Sequence, residues 1–248
     1  MGKLIDKIER GQQSSGPRLG FAPASASKGP SMLLVAVLPT GDAALAASAV
    51  ERGADAVLVK GGDLPPGKSV AVGAVWTDRG GRVAGDFAVI TDRDASVSPL
   101  LDAEDLDVVL TVDFDMPDTE LRTLEALPMS AFIVPDLAEP LTTKKLIAIL
   151  RVTRATSKPV LTYISAGVDK AALVALRDAG IAGFLMEVPQ AAAVGGLAQL
   201  RKTLDSLPQR KKNRNRSRET ASLGLGYNMG SSPDRRPAKP DEDDDDEP

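Results

Sequence analysis

A lysine ends one of the apolar runs of this sequence, in the stretch GADAVLVKGG that covers residues 53–62. A lysine amine in a dry pocket can attack a carbonyl carbon as a Schiff-base nucleophile. A charged ammonium group can instead hold a carboxylate or phosphate of a ligand, or form a structural ion pair with Asp113 or Glu187. The sequence predicts Lys60 as a candidate catalytic residue and leaves these three roles open.

Two aspartates alternate with apolar residues in the stretch VVLTVDFD, residues 108–115. Successive side chains of a strand point to opposite faces, and the even-numbered residues are all apolar. Thr111, Asp113 and Asp115 are therefore predicted to face the axis or the mouth of a barrel. A buried carboxylate needs a partner, so Asp113 is a candidate acid–base group, with an ion pair or a helix cap as the alternative. Asp113 and Asp115 also supply the oxygen ligands that Mg²⁺ prefers, and no other cofactor is indicated.

Further polar or aromatic residues stand at or near the ends of the other apolar runs. Glu187 ends the last run and is the third catalytic candidate. The single tryptophan, Trp76, can either stack on a ligand or plug the mouth of a barrel. The candidate substrate-binding residues are Thr40, Trp76, Asp136, Ser165 and Gly167.

The composition excludes several kinds of chemistry. The chain has no cysteine and no histidine, which rules out disulfides, thiolate nucleophiles, serine–histidine triads and histidine metal ligands. The formal net charge is −4, from 30 basic and 34 acidic residues, which gives no reason to expect nucleic acid as a partner. No apolar stretch reaches the ~20 residues that span a bilayer, so a cytoplasmic protein without a membrane partner is expected.

Eight short apolar runs recur along the middle of the chain, and helical patterns lie between several of them. Such Val-, Leu- and Ile-rich runs, bounded by Gly, Pro or Asp, are typical of strands that are buried on both faces. Alternation of strands and helices with short links favours a parallel sheet. The runs are MLLVAVLP, ADAVLVKG, VAVGAVW, DFAVIT, LDVVLTVDF, SAFIVP, PVLTYIS and AGFLMEV.

Eight parallel strands predict an α/β fold with a TIM-like (βα)8 barrel, and an open doubly wound sheet is the alternative. The links GGDLPPGK and TDRGGRVAG, after the second and third runs, are too short and too rich in Gly and Pro for a proper helix. Either the barrel lacks those two helices, or these strands form an irregular or antiparallel excursion.

Helix boundaries are indicated by capping residues. Asp118 is predicted to cap TELRTLEAL, in which Leu121 and Leu124 share a face. Asp169 is predicted to cap KAALVALRDAG, and Gly180 to end that helix in a left-handed conformation.

An internal similarity supports the barrel. AVERGADAVLVK (residues 49–60) aligns with LRDAGIAGFLME (residues 176–187), so that Gly53 matches Gly180 and Lys60 matches Glu187. Units with this helix–Gly–strand pattern, extending over residues 32–207, resemble those of the large group of phosphate-binding TIM barrels. The resemblance implies anion-binding loops after the seventh and eighth strands.

The two implied anion-binding loops differ in how well they match that group. ISAGVD, residues 164–169, is acceptable as the seventh loop, with Ser165 and Gly167. MEVPQAAAVGG, residues 186–196, departs from the pattern, because Glu187 repels an anion and Pro189 has no amide hydrogen. Gly195 and Gly196 come a full turn or more later. We therefore expect weak or absent binding of sugar phosphates and FMN.

Three zones separate by composition. Residues 1–31 are predicted to hold a short helix, with an apolar stripe of Leu4, Ile5 and Ile8, and a linker rich in Gly, Ser and Pro. Such a helix is too short to be stable unless it docks. Residues 32–208 are predicted to form the barrel. Residues 209–248 combine a basic run with a wholly acidic one and are predicted to be a disordered tail.

Within this tail lies a small apolar island, ASLGLGYNMG, residues 221–230. It resembles the Gly- and Leu-rich terminal peptides by which cargo proteins dock inside encapsulin shells. The resemblance implies a protein partner for the tail, and an ordinary linker is the alternative.

Two functions follow from these patterns. In the first, the barrel binds or acts on a small anionic or carbonyl metabolite, with lyase- or isomerase-type chemistry at Lys60 and Asp113. In the second, it is a non-catalytic scaffold or assembly module whose tail makes the contacts. An open mouth in which Lys60 and Asp113 converge indicates an enzyme, whereas a mouth filled by Trp76 and apolar side chains indicates a scaffold.

Overall fold

A closed barrel of eight parallel strands forms the centre of the described part of the chain. The computed structural model describes residues 2–13, 32–65, 70–76, 85–103, 105–135 and 140–208. Most of the predicted linker and the whole of the predicted tail lie outside these residues. The strands are Leu33–Leu38 (β1), Ala56–Val59 (β2), Ala71–Trp76 (β3), Phe87–Ile90 (β4), Asp107–Thr111 (β5), Ala131–Val134 (β6), Val160–Tyr163 (β7) and Ile181–Glu187 (β8).

Each strand pairs with the next in the chain, and β8 pairs with β1 to close the barrel. The pairing of β2 with β3 and of β3 with β4 is parallel, so these strands form no antiparallel excursion. The described residues of the links on either side of β3 contain no helix. The fold is therefore the predicted TIM-like barrel, and most of the link after β3 lies outside the described residues.

The helices that surround the barrel differ in length. Among the described residues, four of these helices have 9 to 13 residues, and two have only four residues, a single turn. Their bounds, with an N-terminal helix as α1, are Lys3–Gln13 (α1), Ala43–Glu51 (α2), Ser98–Leu101 (α3), Asp118–Leu121 (α4), Thr143–Ala155 (α5), Lys170–Asp178 (α6) and Val194–Asp205 (α7). Short 3₁₀ turns at Leu124–Ala126 and Ala191–Ala193 complete the layer. None of the described helices has the length and apolar character that a membrane crossing requires.

One helix start differs from the prediction. Pro117, and not Asp118, is the N-cap residue of α4, and Asp118 is already helical. The Asp118 carboxylate instead pairs with Arg151 of α5, whose Nη2 lies 2.5 Å from Oδ1. Asp169 is the N-cap residue of α6 as predicted, although its side chain makes no capping hydrogen bond. Gly180 follows α6 with a φ of 107°, as its predicted left-handed role requires.

Two apolar cores lie on the two faces of the barrel wall. The outer core joins the outward side chains of the strands to the helices, for example Phe132 and Phe184 to Ile149 and Leu197. The inner core fills the barrel with the alternate side chains, such as Val35 and Leu161. Burial on both faces explains why the strands are continuous apolar runs.

Helix α1 closes the barrel at the N-terminal ends of the strands. Leu4 and Ile8 are only 1% and 3% exposed and belong to the inner core. The Asp107 carboxylate, at the start of β5, accepts hydrogen bonds from the backbone amides of Leu4 and Ile5, at 3.0 and 3.2 Å. Burial raises the pKa of Asp107 above its usual value, although these two amides lower it. A helix of this length is stable only when it packs on another part of the protein, and α1 packs on the N-terminal end of the barrel.

Candidate functional site

The side chains of Lys60 and Glu187 meet at the opposite end of the barrel, where the strands finish. The amide of Lys60 donates to the carbonyl of Leu38, which extends the β1–β2 ladder by one residue. Lys60 therefore shares the inward face of Ala56 and Leu58, which belong to the inner core. Glu187, the last residue of β8, follows the inward Leu185 in the same alternation.

An ion pair joins these two side chains across β1. Lys60 Nζ lies 2.5 Å from Glu187 Oε1, and the side chains are 46% and 60% exposed. The sequence predicts Lys60 to be a nucleophile, a cation that binds a ligand, or a member of an ion pair, and the structure shows the ion pair with Glu187. Both groups remain open to solvent and to a ligand.

Tyr163 adds a third polar group to this part of the mouth. It is the last residue of β7 and packs its ring on the inner core. Burial raises the pKa of the Tyr163 phenol above its usual value; the charge of Lys60 lowers it and that of Glu187 raises it. The phenol is therefore a neutral hydrogen-bond donor at physiological pH. Sequence reasoning missed Tyr163, although its alternation with Leu161 in PVLTYIS could have identified it.

Asp113 also lies at the end of the barrel where the strands finish, but on the opposite side from Lys60 and Glu187. It follows β5, which lies opposite β1 in the closed order of eight strands. Its Oδ2 is 2.8 Å from Nη2 of Arg93, a residue of the loop after β4 that the sequence did not single out. Lys60 and Asp113 thus share one end of the barrel, but each has its own partner. The apolar residues of this stretch face outward as predicted, since Val108 and Val112 belong to the outer core and Leu110 and Phe114 pack against it.

The structure offers little support for a metal at Asp113 and Asp115. Both residues are exposed. In the described part of the chain, no group of three or more acidic side chains is arranged to hold a metal ion.

Trp76 does not enter the mouth. Its side chain belongs to the outer core and is 8% exposed, and its Nε1 donates to the carbonyl of Ser96 at 2.9 Å. The reason is alternation along β3, which turns Ala71 and Val75 inward and Trp76 outward. The ring is therefore neither a plug of the mouth nor a surface on which a ligand can stack.

The remaining predicted residues are dispersed. Thr40 is exposed in the loop after β1, and Asp136 lies outside the described residues. Ser165 and Gly167 both follow β7, but they line different cavities: Ser165 faces the one beside Glu187, and Gly167 the one between α5 and α6.

A cavity of about 750 Å³ opens beside Tyr163 and Glu187, between the ends of β7 and β8 and the start of α7. Its polar side chains are Tyr163, Ser165 and Glu187. The side towards α7 is apolar and is formed by Ala166, Met186, Ala192, Ala193 and Gly196. This volume is within the range of metabolite-binding sites.

Gly196 comes a full turn or more after Glu187 in the sequence, and it nevertheless lines the cavity. A Cβ atom at position 196 would lie 2.9 Å from both Ala166 Cβ and Met186 Cε. The 3₁₀ turn at Ala191–Ala193 makes the chain compact after β8 and thereby brings the first turn of α7 back to the strand ends.

Comparison with known proteins identifies the fold alone. No family model matches the sequence, and no curated protein matches it. The structure is similar to a mutant tryptophan synthase alpha subunit from Pyrococcus furiosus, with a TM-score of 0.53 and 13% identity. The similarity covers 71% of this chain and 97% of that one. The tryptophan synthase complex from the same organism matches with the same TM-score, identity and coverage. These structures support the assignment of a TIM barrel.

Proposed function

We propose that the protein binds a small carbonyl metabolite at the barrel mouth and transfers a proton at the carbon next to the carbonyl group. The observation that carries this proposal is the cavity of about 750 Å³ that opens beside Glu187 and Tyr163. TIM-barrel enzymes perform their chemistry at this end of the barrel. A carboxylate, an ammonium group and a phenol are among the groups that act as general acids and bases in enzymes.

Each of the three side chains has a role in the proposed reaction. The Glu187 carboxylate removes a proton from the carbon next to the carbonyl, and the electron pair of that C–H bond moves to the carbonyl oxygen. The resulting enolate accepts hydrogen bonds from the Lys60 ammonium group and the Tyr163 hydroxyl. Return of a proton to the same or a neighbouring carbon completes an exchange or an isomerisation.

This assignment gives Glu187 the acid–base role that the sequence indicated for Asp113. Asp113 is paired with Arg93 at 2.8 Å and follows the strand opposite β1. The pair Lys60–Glu187 is adjacent to the cavity, because Glu187 lines it. Asp113 and Arg93 line none of it and are left without a catalytic role.

Hydrogen–deuterium exchange tests the proposal directly. The protein is incubated with butanone or hydroxyacetone in D₂O, and loss of the proton signal next to the carbonyl is followed by NMR. We expect exchange above the rate in buffer, abolished by Glu187→Gln and slowed by Tyr163→Phe. Asp113→Asn is the matched control, since it neutralises a carboxylate at the same end without touching the cavity, and it should leave the rate unchanged.

Exchange at the buffer rate with the wild-type protein would overturn the proposal and favour the non-catalytic scaffold. If exchange persists in Glu187→Gln but is lost in Asp113→Asn, the base is Asp113, on the opposite side of the mouth.

A further inference from the structure

We infer that the ligand of this cavity is uncharged and not phosphorylated, and that it carries a small apolar group which packs against the start of α7. This inference rests on the proposed function, because it names the class of substrate for the same cavity. It follows from three features of the described residues: the charge of the lining, the apolar side, and the space at Gly196.

The charge of the lining disfavours an anion. No lysine or arginine is among the described residues that line the cavity, and Glu187 is the one charged side chain there. The ammonium group of Lys60 is already paired with this carboxylate, 2.5 Å from Glu187 Oε1. An anion in the cavity therefore meets a carboxylate whose positive partner is engaged, and it must compete for that partner.

The apolar side favours a hydrocarbon group. Met186 is only 3% exposed and faces the cavity together with Ala166 and Ala193. Tyr163 and Glu187 follow the inward alternation of β7 and β8, whereas Met186 belongs to the outer core, so the polar and apolar parts of the lining lie on different faces of these strands. A ligand with a carbonyl at one end and a small alkyl group at the other matches this division.

Gly196 lets α7 approach the apolar side of the cavity closely. A Cβ atom at this position would lie 2.9 Å from both Ala166 Cβ and Met186 Cε, so any larger residue must displace these two lining residues and change the shape of the cavity. Gly195 precedes it in the same turn of α7, and a Cβ atom there would meet nothing within 4 Å. The two glycines therefore form a matched pair for substitution.

Ligand-observed NMR titration with three matched probes tests the inference. Isobutyramide carries a neutral carbonyl and a branched alkyl group, isobutyl phosphate replaces the carbonyl end with a phosphate, and acetamide lacks the branched group. We expect isobutyramide to bind at least about tenfold more tightly than acetamide, since one apolar group in a fitted pocket contributes about this factor. It should also bind at least about tenfold more tightly than isobutyl phosphate, because the Glu187 carboxylate repels the phosphate. Glu187→Gln should increase the affinity for isobutyl phosphate.

The matched glycine variants provide the second arm. Gly196→Val should weaken isobutyramide about tenfold and leave acetamide unchanged, whereas Gly195→Val should alter neither. Thermal unfolding of both variants checks that they are folded. Equal or tighter binding of isobutyl phosphate, or equal effects of the two valine variants, would overturn this inference and leave the proposed function standing. Failure of all three probes to bind would also overturn this inference, and the exchange measurement then decides the proposed function separately.

Discussion

At the scale of single residues, the ion pairs of this barrel differ in burial, and burial separates structural pairs from candidate functional ones. The pair Arg201–Asp55 joins α7 to the start of β2, with a distance of 3.2 Å and side chains 11% and 19% exposed. The pair Lys60–Glu187 at the mouth is about half exposed. Exposed pairs contribute little to stability, so the pair at the mouth is available for function.

Substitution of each cation tests this difference. We expect Arg201→Met to lower the free energy of unfolding by about 3 kcal/mol, because Asp55 then keeps a buried charge without its partner. Lys60→Met should lower it by less than about 1 kcal/mol. Urea unfolding of the two variants beside the wild type provides the measurement. A larger loss at Lys60 than at Arg201 would contradict the assignment of the mouth pair to function.

Glu125 gives the barrel a pH dependence of its own. Its carboxylate accepts hydrogen bonds from the hydroxyls of Ser157 and Thr156 and from the amide of Ser157, at 2.6 to 2.8 Å. The side-chain bonds from Ser157 and then Thr156, followed by the Ser157 amide, lower the pKa of Glu125 from 4.5 to about 2. A lowered pKa stabilises the folded state above pH 4.5, and this stabilisation is lost as the pH falls towards 2.

We therefore expect Glu125→Gln to lower the midpoint of thermal unfolding at pH 6, and the difference from the wild type to vanish as the pH approaches 2. Glu120→Gln is the control, because the Glu120 carboxylate has no hydrogen bond within the described residues. A difference that stays constant between pH 6 and pH 2 would show that Glu125 acts by packing and not by charge.

At the scale of elements, α1 is the clearest case of a helix that depends on its surroundings. Eleven residues are too few for a stable helix in water. Its apolar face is buried in the inner core, and its first amides bond to Asp107. Helix α1 therefore covers the N-terminal end of the barrel, and contacts with the barrel stabilise the helix.

Loss of the apolar contact at Leu4 should destabilise the whole barrel. We expect Leu4→Ala to lower the free energy of unfolding by about 2–5 kcal/mol, the usual cost of a cavity at a buried leucine. Leu101→Ala is the matched control, since Leu101 is 46% exposed, and it should cost less than about 1 kcal/mol. Equal effects in urea unfolding would show that α1 does not contribute to the core.

At the scale of the whole molecule, the described residues from 2 to 208 belong to one compact unit. The composition changes at about residue 209, where apolar periodicity ends and a basic run begins. Trypsin cleaves after Lys and Arg, and the run at 210–218 offers six such residues in nine positions.

We expect limited proteolysis with trypsin to cut first after residue 209 and to leave residues 32–207 intact, as composition predicts. A chain that ends at residue 208 is the control and should unfold at the same temperature as the full chain. Early cuts within residues 100–190 would contradict the barrel as a single resistant unit.

The sequence by itself determined the eight strands, whereas the structure decided that those around β3 are also parallel. All eight apolar runs contain a strand, because a strand buried on both faces must be apolar along its whole length. It also determined that Lys60, Asp113 and Glu187 stand at one end, since the strands of a parallel barrel all finish there.

Only the tertiary structure decided which of these residues meet. Pairing across β1 joins Lys60 to Glu187, whereas Arg93 from a loop takes Asp113, and such contacts depend on positions far apart in the chain. The structure also decided that the face of β3 that carries Trp76 is the outward one. The turn before α7 returns Gly196 to the strand ends. Sequence patterns specify local alternation, but closure of the barrel fixes which side chains become neighbours.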